Sequence, residues 1–357
     1  MTNGYNTHAM EQESGKTTGD TATVNLGPMS VETHLPKLED VGHPNVPTVD
    51  DNYIMREING MSDLEVLSFA INDPDFFAMI EGEAATGKNF AVDTLCAAAN
   101  WPRVRVNFSI SSSYESLVGR FAPVDSENSI EDETYSRAEA IDRTATRLDN
   151  EGVNSAVEKA EQAIPEAATF QWVDGLLTRA VKLGWVFVAD EINAAEPEAL
   201  MPFNGLTEDR NSRYLTIEEL STVIEPHDRF RLVATRNPVT YSGTVDMNSA
   251  LESRAYIIPF DYHEDTALIE ILKNRTNIVE NESEKALEQL VNLTTDIRDS
   301  EQNNTEIVTK ISTRELIKIG KMTEITSIRN ATKTIFSGVA DPTDEEAITE
   351  MVRTQNF

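Results

Sequence analysis

Five short apolar runs punctuate the chain: Asp75–Glu81 (DFFAMIE), Val104–Phe108, Trp185–Ala189, Phe230–Ala234 and Tyr256–Phe260. Each is too short for a helix and too continuous for a strand with one wet face, so each predicts a strand buried on both sides. Between the runs the spacing turns helical. Leu64, Val66, Leu67, Phe69, Ala70 and Ile71 make one helix face, and another helix is expected from about Phe90. Short buried strands alternating with helices predict a parallel α/β sheet. After about His263 the strand signal stops. Leu, Ile, Val and Ala then recur at helical spacing over Thr266–Leu272, Glu284–Ile297, Thr313–Met322 and Asp344–Val352, which predicts a small all-α domain. Ser312 or Thr313 can cap the third of these helices, with Glu315 near its start.

Three stretches break the rhythm. Residues 1–52 are rich in Thr, Gly, Pro, Glu and Asp with almost no apolar period, and are expected to form a mobile acidic tail. Residues 124–169 carry twelve acids against four bases. They are Ala-rich and short of large apolar side chains, and predict a partly helical surface insertion. Residues 211–227 hold Tyr214, Leu215, Thr216, Ile217, Val223 and Ile224, which suggest a β-hairpin. The chain is therefore divided into a tail (1–52), an α/β core (53–262) and a helical lid (263–357).

Charge changes the picture in one respect. The 357 residues include 61 acidic and 30 basic side chains, a net charge of −31. So negative a surface repels phosphate and argues against unassisted binding to nucleic acid or anionic lipid. Only 11 of the basic residues are Lys. An acid excess with scarce Lys resembles proteins of salt-loving archaea and their viruses, where molar salt screens the repulsion. The single cysteine, Cys96, excludes an internal disulfide and fits a reducing compartment. No apolar run approaches a membrane span, and Met1–Met10 lacks the features of a signal peptide. The expectation is a soluble cytoplasmic protein.

The chemistry concentrates at strand ends. Gly82-Glu83-Ala84-Ala85-Thr86-Gly87-Lys88-Asn89 follows the first buried strand and precedes a helix opening near Phe90. Glycines there let backbone N–H groups face a phosphate, the helix start adds positive charge, and Lys88 reaches the terminal phosphates. This is a Walker A loop except that Asn89 replaces the Ser or Thr whose hydroxyl holds Mg²⁺. The strand Trp185–Ala189 ends in Asp190 and Glu191. Two carboxylates at the tip of a buried strand fit a Walker B element, with Asp190 serving Mg²⁺ and Glu191 polarising the attacking water. The strand Phe230–Ala234 runs into Thr235-Arg236-Asn237-Pro238, and Asn237 can help orient that water. Arg254 ends Ala250-Leu251-Glu252-Ser253-Arg254 just before the last strand, where a guanidinium can reach a neighbour's γ-phosphate. Arg314 starts a lid helix and can touch the nucleotide from above.

The order of these elements resembles AAA+ ATPases, and within them the MoxR group with its CbbQ/NorQ-like and gas-vesicle GvpN-like members. Four further segments carry the likeness: Ser116-Leu117-Val118-Gly119-Arg120, Val173–Ala180 (VDGLLTRA), Asp190–Ala195 (DEINAA) and Phe230–Thr235 with Asn237-Pro238. It covers about residues 60–330. The resemblance implies a five-stranded parallel sheet with a helical lid, a ring of about six subunits, and ATP with Mg²⁺ at subunit interfaces. It also implies a first sensor at Asn237, an arginine finger at Arg254 and a second sensor at Arg314. The 211–227 hairpin takes the place of the group's helix-2 insert. Members commonly remodel a protein client, often through a von Willebrand A-domain adaptor. Asn89, Arg236 (where the group usually has Met or Gln) and the length of the 124–169 insertion depart from the group. Two rival readings are an assembly scaffold that binds ATP but hydrolyses it poorly, and a DNA-linked AAA+ motor; the charge opposes the second.

Overall fold

A computed structural model describes residues 15–26, 29–48, 52–124, 134–136, 169–238, 249–300, 307–355 and 357. The chain opens with a hairpin, β1 (Thr17–Leu26) and β2 (Met29–Leu38), then helix α1 (Asp63–Asn72). Next come β3 (Phe77–Glu81), α2 (Lys88–Ala98), β4 (Arg103–Asn107), β5 (Gly119–Val124), β6 (Thr134–Ser136), β7 (Thr169–Asp174) and α3 (Leu176–Leu183). They are followed by β8 (Val186–Asp190), α4 (Pro197–Leu206), β9 (Leu215–Ile217), β10 (Thr222–Ile224), β11 (Arg231–Arg236) and β12 (Ala255–Pro259). Helices α5 (Asp265–Arg275), α6 (Glu284–Asp299), α7 (Thr313–Met322), α8 (Ile328–Val339) and α9 (Glu345–Thr354) complete the fold.

All five apolar runs become the strands of one parallel sheet, in the order β12-β3-β11-β8-β4. The pleat explains why the runs are continuous. Phe77 and Met79 of β3 join Phe187 and Ala189 of β8 under α3 and α4, whereas Ala78, Ile80, Val186 and Val188 face α1, α2 and the N-terminal hairpin. Both faces of β3 and β8 are covered, so their runs are apolar throughout, whereas the edge strand β4 is only partly covered and carries Arg103 and Arg105. The sequential jump from β3 to β4 at the far edge leaves room between them for β8 and β11. The carboxyl ends of β3, β8 and β11 thus lie side by side.

Residues 15–38 correct the expected tail. β1 and β2 pair antiparallel and bury Ala22, Val24, Leu26, Leu35 and Leu38 in one core with Leu64, Leu67 and Ile71. Two bonds fix the docking: Leu38 N–H donates to Ala99 O at 2.9 Å and Asn100 Nδ2 donates to Leu38 O at 2.9 Å. The polar residues that suggested disorder occupy the outward half of a period-2 alternation, and the missing apolar partners come from α1 and α2. Residues 1–14 lie outside the described residues.

Most of the 124–169 insertion also lies outside them, including its expected helical part. Its two ends meet, because Val124 pairs with Thr169 on adjacent strands β5 and β7. The 211–227 segment forms the antiparallel pair β9–β10. Among the described residues, no helix is long and apolar enough to cross a membrane.

The lid closes its own core around Leu268, Leu272, Leu290, Ile319 and Phe336. Ser312 caps α7 in a capping box with Glu315. Helix α8 was not foreseen from the sequence. Its inner face uses Ile328, Ala331, Thr332 and Phe336, a helical spacing whose middle is made of small residues.

Candidate nucleotide site

Between β3 and α2 the chain makes a loop that only certain residues allow. A Cβ on Gly82 would sit 2.1 Å from the carbonyl oxygen of Phe260, so any side chain there would displace backbone. Gly87 caps α2 in a left-handed conformation (φ 91°), with no side chain bonded to the helix's first amides. Those amides stay available to an anion. Ala85 also has positive φ, 62°, which costs about 1–3 kcal/mol and keeps the loop curled. The loop wraps the ammonium of Lys88, which donates to Gly82 O at 2.6 Å, Glu83 O at 2.8 Å and Asn237 Oδ1 at 3.1 Å. Burial lowers the Lys88 pKa to about 8, against the opposing pull of Asp190, Glu191 and Glu83.

The acids stand beside it. Asp190 ends β8, and both its oxygens accept a bond: Oδ1 from Thr235 Oγ1 at 2.5 Å and Oδ2 from Asn89 Nδ2 at 2.8 Å. Thr235 Oγ1 also accepts from the Glu191 N–H at 3.0 Å, so one hydroxyl on β11 sets the register of both acids. Glu191 has left-handed backbone (φ 56°), which turns its side chain out of the strand line. Its Oε1 accepts from Asn237 Nδ2 at 3.3 Å. Asn237 therefore bridges Lys88 and Glu191. Its own carbonyl is held by Asn193 Nδ2 at 2.9 Å.

These groups line a cavity of about 350 Å³ with Ala84, Ala85, Thr86, Gly87, Phe90, Asp93, Arg105 and Arg314. Arg314 enters from the first turn of α7. A second cavity of about 310 Å³ shares Thr86, Gly87 and Phe90 and continues between Tyr53, Ile54, Ile271 and Ile317. The first cavity suits charged phosphates and the second an apolar, planar base. Asn89 Oδ1 is buried without a hydrogen-bond partner. Asn89 Oδ1 and the Asp190 carboxylate are oxygen donors of the kind Mg²⁺ takes, one or two from the protein with phosphate and water completing the shell, although here it is Asn89 Nδ2 that faces Asp190.

Side chains the sequence did not single out grip the loop, one of them from the lid. Lys310 Nζ donates to Glu83 Oε1 at 2.8 Å, and Tyr262 OH donates to Ala84 O at 3.2 Å. Arg56 donates to Thr86 O, to Asp63 Oδ2 at 3.2 Å and to His263 Nε2 at 2.9 Å. His263 can accept because burial, then the nearby Arg56 and Arg298, hold its pKa down at about 3 and keep it neutral. None of these residues sits in a motif, and they come from three separate segments, at Arg56, Tyr262-His263 and Lys310. Thr235 alone had a signal, as the first polar residue after the apolar run of β11.

Arg254 does not join the cavity. The Phe77 N–H donates to Arg254 O at 3.2 Å, at the start of β3, whereas the loop leaves from Glu81. That separation is about 13 Å of strand at about 3.3 Å per residue, beyond the span of one arginine side chain. Arg254 pairs instead with Glu208, Nη2 to Oε1 at 2.7 Å. Arg236 does not face the cavity either. It pairs with Glu81 at 2.5 Å and with Glu252, so this departure from the group's usual Met or Gln is met by two acid partners.

A family model described as "AAA domain (dynein-related subfamily)" matches residues 160–255, the stretch holding Asp190, Glu191, Asn237 and Arg254. An uncharacterized protein of Staphylococcus haemolyticus is 26% identical over 301 residues, covering 84% of this chain and 97% of its own length. One from Staphylococcus saprophyticus is 24% identical, covering 84% and 97%. A crystal structure titled as a putative ATPase from Cytophaga hutchinsonii aligns over 82% of this chain at 16% identity, with a TM-score of 0.38. The fold is an AAA+ P-loop NTPase core with a five-stranded parallel sheet, followed by a helical lid.

Proposed function

We propose that this chain is a MoxR-type remodelling ATPase that hydrolyses ATP to ADP and phosphate and uses the cycle to move a protein client. The observation that carries the reading is the meeting of Lys88, Asp190, Glu191 and Asn237, from three strand ends, at one cavity. Loop amides and Lys88 bind the phosphates, and the neighbouring apolar cavity takes the base. Asp190 with Asn89 Oδ1 would hold a Mg²⁺ ion, which would supply charge neutralisation for the phosphates. Glu191 accepts the proton of the water whose oxygen bonds to the γ-phosphorus as the bond to the β,γ-bridging oxygen breaks. Asn237 holds the Glu191 carboxylate toward that water. Arg314 ties the lid to the phosphates, so loss of phosphate loosens the lid.

Arg254 lies too far from its own loop to act there. In this reading it serves the loop of a second copy, which calls for a ring, of about six subunits by resemblance. A protein client, reached directly or through a von Willebrand A-domain adaptor, is the partner such a ring implies. The test is phosphate release in molar KCl with and without Mg²⁺, for wild type and Glu191→Gln. Mg²⁺-dependent turnover that collapses in the variant supports the reading, and a rate indifferent to Glu191→Gln sinks it. One observation favours the scaffold alternative: the Asn89 amide already occupies Asp190 Oδ2. If wild type binds ATP without turnover and Asn89→Thr hydrolyses it, the scaffold reading wins.

A further inference from the structure

Arg236 bonds both the last residue before the phosphate-type loop, Glu81, and Glu252 of the turn that leads to Arg254. It follows Thr235, which holds Asp190 and Glu191, and precedes Asn237, which bonds Lys88 and Glu191. Its own side chain turns away from that cavity. One side of the guanidinium meets Glu81, the residue before Gly82, with Nε and Nη2 both 2.5 Å from Oε2. Nη1 meets Glu252. Glu252 ends the helical turn Ser249–Glu252, two residues before Arg254. A guanidinium can grip two carboxylates at fixed angles, which an ammonium cannot.

The two acids come from opposite ends of the sheet's length. Glu81 ends β3 at the loop, and Glu252 belongs to the connection that enters β12 beside Phe77. Arg236 therefore spans from the phosphate end toward the Arg254 end. The Arg236 side chain is 13% exposed and each acid side chain 37%, so the guanidinium is shielded while its partners stay partly open to solvent and salt. We infer that Arg236 is a positioning residue: through Glu252 it sets the placement of Arg254 for the neighbouring copy's nucleotide, and through Glu81 and Asn237 it ties that placement to its own site. The inference rests on the reading that Arg254 acts on a second copy.

The decisive test is subunit mixing. Arg236→Gln alone should lower kcat at least tenfold while the Kd for ATP changes less than threefold, since its loop is intact. Mixed with Lys88→Ala subunits, which have a dead loop but an intact Arg254, it should regain activity, because the partner's Arg254 now serves its site. No regain in confirmed mixed rings overturns the inference and makes Arg236 a residue of its own site. The Arg254→Ala and Lys88→Ala mixture is the control. Regain there but not with Arg236→Gln removes only the Arg236 assignment, whereas failure of both removes the second-copy reading as well. Glu252→Gln, which leaves the Glu81 pair in place, should show the same loss and the same regain if Arg236→Gln does not fold; a wild-type rate in Glu252→Gln also overturns the inference. An arm independent of turnover uses mass photometry of Glu191→Gln rings in saturating ATP. Adding Arg236→Gln should reduce the ATP-stabilised ring population severalfold, and an unchanged population counts against the role.

Discussion

The two ends of the central sheet are built from opposite materials. At the carboxyl ends of the strands lie backbone amides, two carboxylates, two amide side chains and one buried ammonium. At the amino ends lie Arg210, Arg213, Arg231 and Arg254, with Asp75, Asp228 and Glu208 as their acids. The contrast shows in proton affinity. Burial lowers Lys88 to about 8 at one end, while at the other burial, reinforced by Arg213 and Arg210, brings Arg231 down to about 10. A chain of net charge −31 thus keeps a dense cationic patch away from its own phosphate loop. In the proposed reading the cavity end, with Lys88, Arg105 and Arg314, receives a polyphosphate, while Arg254 stands at the other end beyond reach of its own loop.

Removing the far-end guanidinium should have the largest effect. Arginine fingers contribute about 10³–10⁵ in rate where they act from another protein, so Arg254→Ala should lower kcat about 10³-fold with ATP affinity nearly unchanged. Rapid-mixing phosphate release and fluorescent-nucleotide titration read the two quantities. A kcat within threefold of wild type would break the contrast, since the carboxyl end would then be sufficient alone. The loss of Glu191 comes next. A positioned general base is worth about 10²–10⁴-fold, so Glu191→Gln should lose two to three orders of magnitude (about 10²–10³) in kcat and keep ATP bound. Such a trap is also the natural bait for a client.

What could be read from the sequence follows the same division. The carboxyl end was legible, because β3, β8 and β11 are short runs buried on both faces and end abruptly in polar residues. The sheet and the meeting of Lys88, Asp190, Glu191 and Asn237 follow from that punctuation. Arg56, Tyr262, His263 and Lys310 were not, because each reaches the loop from a segment without a local pattern, and only the closed chain brings them within bonding distance. The N-terminal hairpin was misjudged for a related reason. Ala22, Val24 and Leu26 alternate as a half-buried strand should, but the apolar surface they bury against belongs to α1 and α2. Arg236 shows the limit most clearly: its sequence neighbour Asn237 pointed toward phosphate, while the side chain itself runs to Glu81 and Glu252.

The buried ammonium gives a graded test of the carboxyl end. Lys88 titrates near 8 in the folded chain against 10.5 for an unperturbed lysine. Phosphate oxygens favour the charged form, so nucleotide binding raises the Lys88 pKa and takes up a proton above pH 8. Apparent ATP affinity should therefore be flat below about pH 7.5 and weaken by up to about tenfold per unit as pH rises past 8. Calorimetry in buffers of different ionisation enthalpy would detect the uptake directly, and an affinity independent of pH from 7 to 9.5 would refute it. Stability of the free chain should move the other way. Between about 8 and 10.5 the unfolded chain binds the extra proton, so the fold gains stability with pH over that window.

The smallest expected change is at Asn89, and it bears on whether the carboxyl end is complete as it stands. The amide does two things: Nδ2 donates to Asp190 Oδ2 at 2.8 Å, and Oδ1 stays buried without a partner. A threonine hydroxyl would keep one oxygen near the same place on a shorter arm and release the Asp190 oxygen, while Thr235 Oγ1 still holds the other at 2.5 Å. One released carboxylate oxygen and one lengthened contact nearly cancel, so Asn89→Thr should hydrolyse ATP at the wild-type rate or a few times faster. The sharper readout is the Mg²⁺ concentration at half-maximal rate, which should shift less than about tenfold, or 1.4 kcal/mol. A tenfold or larger fall in kcat would mean that Asn89 Oδ1 is the oxygen the site depends on. In that case the carboxyl end of this sheet is tuned to an amide, and the hydroxyl is no improvement on it.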